Sequence, residues 1–214
     1  KPFAGVNGSG KHDNWSLATE DGTNLYAPGN NLEENLQFLL FLTAFIKAMD
    51  VYAPLIRAGA ATAGNDHRLG SSEAPPAIIS IYLGEQLSSI LDAITEEGNC
   101  AKGKSQYVKM GITALPELPK DLTDRNRTSP IAFTGNKFEY RMVGSSQSVA
   151  GPNIYINGAV AQVLQEAADR LEAADDVELE CHNIIRDFYQ GHKRIIFNGN
   201  GYSQEWKAEA RRRG

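Results

Sequence analysis

Cysteine is scarce: Cys100 and Cys181 are the only two in 214 residues. Their wide separation excludes a zinc cluster and a disulfide framework, and fits free thiols in a reducing cytoplasm. Long apolar runs are missing too. The most apolar stretch, Leu36 to Met49, falls short of the roughly 20 residues that a membrane-spanning helix needs. Excess positive charge is also absent, since 21 Lys and Arg stand against 26 Asp and Glu, for a net charge of -5. That balance gives no general attraction to nucleic acid or to an anionic membrane surface, so neither is expected as a partner. Any phosphate chemistry must then rest on a local cluster of basic residues. There is no internal repeat and no low-complexity segment. An initiator Met is lacking as well: the chain opens on Lys1, and Lys1 to Val6 reads as the middle of a strand. The expectation is a piece of a longer protein, inactive by itself.

What is present is a set of strands and long helices without regular alternation, which predicts an α+β fold. Asp21-Gly22, a turn dipeptide flanked by Trp15, Leu17 and Leu25, predicts a hairpin over 11–27. One helix is predicted over 32–57, capped by Asn31, with Glu33 and Glu34 in its first turn and Gly59 as its stop. Leu36 to Ile46 are apolar nearly all round, which predicts a buried core helix. Residues 59–73 read as a loop stiffened at its exit by Pro75-Pro76. A strand over 77–83 and a helix over 84–96 follow. After a weakly periodic stretch, strands are predicted at 131–133 and 138–143, joined through Gly135-Asn136. A long helix over 153–174 has an apolar stripe of Ile156, Val160, Val163, Leu164, Ala167 and Leu171. Two shorter helices close the chain, ending on three arginines that read as a solvated helix end. Residues 1–175 are expected to form one core, with 176–214 as a helical extension of the same domain.

Three constellations carry chemistry. Gly5 to Lys11 has the spacing of a P-loop, but His12 stands where a magnesium-binding hydroxyl is needed, and a strand rather than a helix is predicted next. As a strand, 11–17 puts His12, Asn14 and Ser16 on one face and Asp13, Trp15 and Leu17 on the other. An imidazole can hold a divalent metal, and small polar groups can hold a nucleotide; a glycine-rich turn with a surface histidine is the plainer reading. Arg68 and Glu73 lie on the Gly-bracketed, Pro-anchored loop. An arginine can clamp a carboxylate or phosphoryl group, and a glutamate can accept a proton, although both also suit an ordinary solvent loop. Lys137, Glu139 and Arg141 share one face of a strand, opposite Phe138, Tyr140 and Met142. That row is either a surface ion-pair ladder or a site with a hard oxygen ligand, and Arg125 and Arg127 would bring it phosphate-binding charge.

Together these segments resemble glutamine synthetase, and in detail its type III branch, over roughly residues 1–160. Asn7-Gly8-Ser9-Gly10 with His12, then Arg68-Leu69 with Glu73-Ala74-Pro75, then Asn126-Arg127 with Phe138-Glu139-Tyr140-Arg141, follow the family's motifs in order. The resemblance implies a curved antiparallel sheet with flanking long helices, of the type shared with guanidino kinases. It implies glutamate binding by Asn7, Gly8, Arg68 and Arg141, and ATP binding by Asn14, Ser16, Arg125 and Arg127. It also implies Mg2+ or Mn2+ at His12 and Glu139, and a catalytic Glu73 that takes the proton of ammonium, with Arg68 beside it. A homo-oligomeric ring is implied as well. Two departures stand out: the loop from Arg68 to Glu73 is one residue shorter than in the common bacterial form, and a phosphate-binding arginine of that form falls on Ala132. Residues beyond 175 match the family's pattern poorly.

The expected activity is therefore ATP-dependent ligation of ammonia to glutamate through γ-glutamyl phosphate. Two other readings keep the fold: a glutamate–amine ligase acting on a polyamine or another amine, and a non-catalytic nucleotide-binding protein. Glu73 speaks against the first, since an acid there suits ammonium. The His12 and Glu139 pair speaks against the second.

Overall fold

The computed structural model describes residues 9–29, 35–70, 74–96 and 128–214. Four short strands form one mixed sheet: β1 (Asp13–Trp15), β2 (Ile81–Tyr82), β3 (Ile131–Phe133) and β4 (Phe138–Tyr140), in the order β1-β4-β3-β2. Around it lie α1 (Leu36–Val51), α2 (Ala53–Ala58), α3 (Ala63–Asp66), α4 (Glu85–Thr95), α5 (Ala150–Glu172), α6 (Val177–His192) and α7 (Gln204–Arg213). The α+β class holds, but the expected antiparallel sheet is corrected at one edge, where β2 runs parallel to β3. The chain between those strands carries α4, and a connection of that length permits a crossover that a tight turn does not.

The register explains why the sheet has two unlike faces. Phe138 lies opposite Trp15 and Phe133, and Tyr140 lies opposite Asp13 and Ile131. The aromatic face packs on α1: Phe45 stacks on Phe138 with centroids 3.6 Å apart and planes at 10°, while Tyr26 meets Phe138 edge-on at 5.2 Å. Glu139 points the other way, with Asn14 and Ala132 as its cross-strand neighbours. Strand alternation thus places an acid on the face turned away from the core helix.

Several elements differ from their predicted extents. The helix expected over 32–57 is two, α1 and α2, interrupted at Tyr52, with Pro54 at the start of α2 where its missing N–H costs nothing. Asn35 caps α1, its side chain accepting from the Phe38 amide at 3.0 Å; the predicted cap Asn31 lies outside the described residues, as do Glu33, Glu34 and residues 97–127. The hairpin predicted over 11–27 shrinks to its tip, an Ala18–Asn24 bridge around Gly22 at φ +87°, because β1 pairs with β4 instead. A turn of helix, α3, sits inside the predicted 59–73 loop, capped by Thr62. The strand predicted over 77–83 is only the two residues of β2.

α1 is the central helix: Phe38, Leu39, Leu42, Ala44, Phe45 and Ile46 are all buried, and it packs against α5 and α6 as well as the sheet. At its far end the buried Asp50 carboxylate receives His192 Nδ1 at 2.7 Å and Arg194 Nε at 3.0 Å, which ties the end of α6 to α1. Beyond α6, Ile196 bridges Ile81, and the Phe197 amide donates to the Ile81 carbonyl at 2.9 Å, so the tail closes the β2 edge. Of the terminal arginines, Arg213 is docked rather than solvated: it donates to the Arg194 carbonyl at 2.6 Å and lies over the Trp206 ring. Among the described residues, no helix is long and apolar enough to cross a membrane.

Phe45 supports β4 through Phe138, the residue before Glu139. Truncation there removes a stacked ring from a closed core, so Phe45→Ala should destabilise the fold by about 3–5 kcal/mol. Denaturant unfolding of the variant checks this; a loss below about 1 kcal/mol would mean that the stack is not a principal support.

Candidate active site

On the outward face, His12 and Glu139 meet. His12 immediately precedes β1, and its Nδ1 lies 2.9 Å from Glu139 Oε1. The glutamate side chain is 8% exposed and the histidine 51%, so the pair opens to solvent on the imidazole side. Asn14 lies directly opposite Glu139 in the register and is exposed, with Nδ2 3.5 Å from the His12 carbonyl. Ser16 is exposed just beyond β1. Arg141 follows two residues after Glu139 on the same face and is 2% exposed; its guanidinium donates to the Ser129 carbonyl. Glycines 10 and 144 bridge beyond the strand ends, so a strand-like run rather than a helix follows Lys11.

A bulge shapes the next stretch. Three steps from Asp13 back to Gly10 match four steps from Tyr140 on to Gly144, so the second strand carries one extra residue. Arg68 reaches the carbonyls of this stretch: its Nη2 lies within hydrogen-bonding distance of those of Arg141 (3.3 Å), Met142 (2.9 Å) and Val143 (3.1 Å), and the Val143 carbonyl also accepts the Lys11 amide at 2.9 Å. Its Nε donates to Asn65 Oδ1 at 2.9 Å, and Asn65 Nδ2 in turn donates to the Ala60 and Met142 carbonyls at 2.6 and 2.7 Å. Arg68 is 4% exposed, and burial pulls its pKa down while nearby Tyr202 opposes that fall. Of the two readings of Arg68 from the sequence, the ordinary solvent-loop residue is corrected: the side chain is buried and ties the loop to the end of β4. Asn65, central to this network, had only its place in a polar loop to mark it.

On the other face of β1, burial raises the Asp13 pKa, opposed by a hydrogen bond from Asn153. Ala132, where the common form has an arginine, is fully buried opposite Glu139. Asn7, Gly8, Glu73, Arg125 and Arg127 lie outside the described residues. Among the described residues no group of three or more His, Cys, Asp or Glu forms a metal cluster.

Comparison with known proteins bears on what this arrangement serves. Residues 180–214 match the family of the glutamine synthetase C-terminal domain. That is the part in which sequence motifs found little likeness. Over its whole length the chain is 51% identical to the type-3 glutamine synthetase of Dictyostelium discoideum. It is 48% identical to the glutamine synthetases of Bacteroides fragilis (strain YCH46) and Butyrivibrio fibrisolvens. The chain spans 30–31% of the length of these curated relatives.

Arg68 has a close neighbour in Gly10, where an added Cβ would run into Arg68 Nη1 and stand 2.7 Å from Cζ. The guanidinium is tied on its other side and cannot retreat without breaking hydrogen bonds. Gly10→Ala should therefore destabilise the protein by about 1–3 kcal/mol, read as a lowered melting temperature. Stability equal to that of the parent would mean that Arg68 is free to move.

Proposed function

We propose, from the premise that this chain belongs along its whole length to the glutamine synthetase family, that it supplies part of the active site of a glutamate–ammonia ligase. ATP phosphorylates the side-chain carboxylate of glutamate. Ammonia then attacks the acyl carbon of γ-glutamyl phosphate and phosphate leaves, giving glutamine. The observation that carries this reading is the meeting of His12 and Glu139 across neighbouring strands, with Arg141 in the same row.

The donor set suits a divalent metal: His12 Nδ1 and Glu139 Oε1, hydrogen-bonded to each other at 2.9 Å, would turn together toward a shared ion. The carboxylate oxygen suits Mg2+ or Mn2+, and the imidazole nitrogen would add a neutral donor beside it. When bound, the metal would neutralise charge on the nucleotide phosphates. His12 and Glu139 would hold it, with further ligands from phosphate oxygens, water or groups beyond the described residues.

The remaining residues divide by what each side chain can do. Arg68 and Arg141 have guanidinium groups fixed by backbone carbonyls, so their positive charge is set in place before glutamate arrives, which is how electrostatic stabilisation works best. Asn7 and Gly8 would complete the glutamate pocket. Asn14, Ser16, Arg125 and Arg127 would bind ATP. Glu73 would hold ammonium and accept its proton, since ammonium has no lone pair with which to attack. The four strands would belong to one end of the family's curved sheet. Residues 176–214 would sit in the same domain as 1–175, a reading supported by the packing of α6 on α1 and of Phe197 on the β2 edge. A homo-oligomeric ring is proposed on the family likeness.

Two outcomes test this. Glu139→Gln in the intact enzyme should weaken Mn2+ binding about tenfold or more, read by titration calorimetry, with the fold retained; unchanged affinity would remove the metal assignment. Glu73→Ala should leave ATP binding in place while uncoupling turnover, so that ATP hydrolysis proceeds with little glutamine formed. Equal loss of hydrolysis and glutamine, with weakened nucleotide binding, would assign Glu73 a structural part instead.

A further inference from the structure

Tyr202 stands in the C-terminal segment, between α6 and α7, and has no part in the chemistry above. Its hydroxyl donates to the Ala74 carbonyl at 2.6 Å. Ala74 is fully buried, and Pro75 and Pro76 follow it. The two prolines of this Ala-Pro-Pro run offer no amide donors, so their backbone can be hydrogen-bonded only through carbonyls. The Gly70 amide supplies one local tie, donating to the Pro75 carbonyl at 3.0 Å and to the Ala74 carbonyl at 3.3 Å, with Gly70 at φ +79°. These bonds close the neck of the loop that Arg68 opens. Tyr202 adds a shorter hydrogen bond to that neck, and it comes from far along the chain.

The phenol is itself firmly placed. The Tyr202 amide donates to Asn200 Oδ1 at 3.1 Å, and the Ser203 amide donates to the Asn200 carbonyl at 3.1 Å. Phe197 stacks on Trp206 with centroids 3.7 Å apart and planes at 10°. Asn198 Oδ1 accepts the Leu83 and Gly84 amides at 3.0 and 2.9 Å, which anchors the same segment to the start of α4. Ser129 Oγ donates to the Phe197 carbonyl at 2.9 Å, and the Ser129 carbonyl receives Arg141. One segment, 196–202, therefore backs both arginines: Arg141 through Ser129, and the loop of Arg68 through Ala74.

The geometry points to Tyr202 as a positioning residue that fixes the neck of the Arg68 loop and thereby sets the glutamate pocket. The inference rests on the proposed ligase function for its kinetic consequence, but not for its structural one. Tyr202→Phe in the intact enzyme keeps the ring and removes the hydrogen bond. Hydrogen exchange of the Gly70 amide should then quicken, and the KM for glutamate should rise about 2- to 10-fold, the range that follows from losing one hydrogen bond. The KM for ATP and the melting temperature should stay close to those of the parent. Unaltered Gly70 exchange in Tyr202→Phe overturns the inference, and so does an unchanged KM for glutamate or an equal rise in the KM for ATP. A parent enzyme that forms no glutamine would overturn the ligase reading instead, and the exchange measurement alone would then decide the role of Tyr202.

Discussion

Everything near the site depends on a constraint of period two in β4. Phe138 and Tyr140 go into the aromatic layer over α1, so Glu139 and Arg141 must face the other way. The core sets this register. A slip of one residue would put a carboxylate under Phe45 and two rings into the site, at a cost that no surface interaction could offset. The acid is therefore held in place by the hydrophobic packing of its neighbours, and its closeness to His12 follows from β1 pairing beside it.

The second support is polar. Past β4, beside the one-residue bulge, Arg68 Nη2 lies among three successive carbonyls while its Nε donates to Asn65. A buried arginine with these partners joins the loop at 59–70 to the end of β4 more rigidly than the loop's own glycines suggest. Fixed charge of this kind would suit the proposed phosphoryl transfer, whose catalysis is mostly positioning and electrostatics.

Much of this was legible in the amino-acid order. Alternation over 11–17 and 137–142 separated His12, Asn14, Glu139 and Arg141 from Trp15, Phe138 and Tyr140, and the register pairs them accordingly. The apolar run at Leu36 to Ile46 pointed to the buried helix that supports the sheet. What was not legible is non-local. Nothing near Arg68 in sequence announces carbonyls more than seventy positions away. Nothing near Tyr202 announces Ala74, and the parallel pairing of β2 depends on a crossover rather than a turn. The break at Tyr52 was readable from Pro54, but the strong apolar run on its N-terminal side obscured it.

As proposed, His12 and Glu139 would together hold one divalent metal in the intact enzyme. Anomalous diffraction from crystals of the intact enzyme grown with Mn2+ tests this. An anomalous peak is expected within about 2.0–2.3 Å of both a His12 ring nitrogen and a Glu139 carboxylate oxygen. Manganese bound elsewhere, with the imidazole still hydrogen-bonded to the carboxylate, would contradict it.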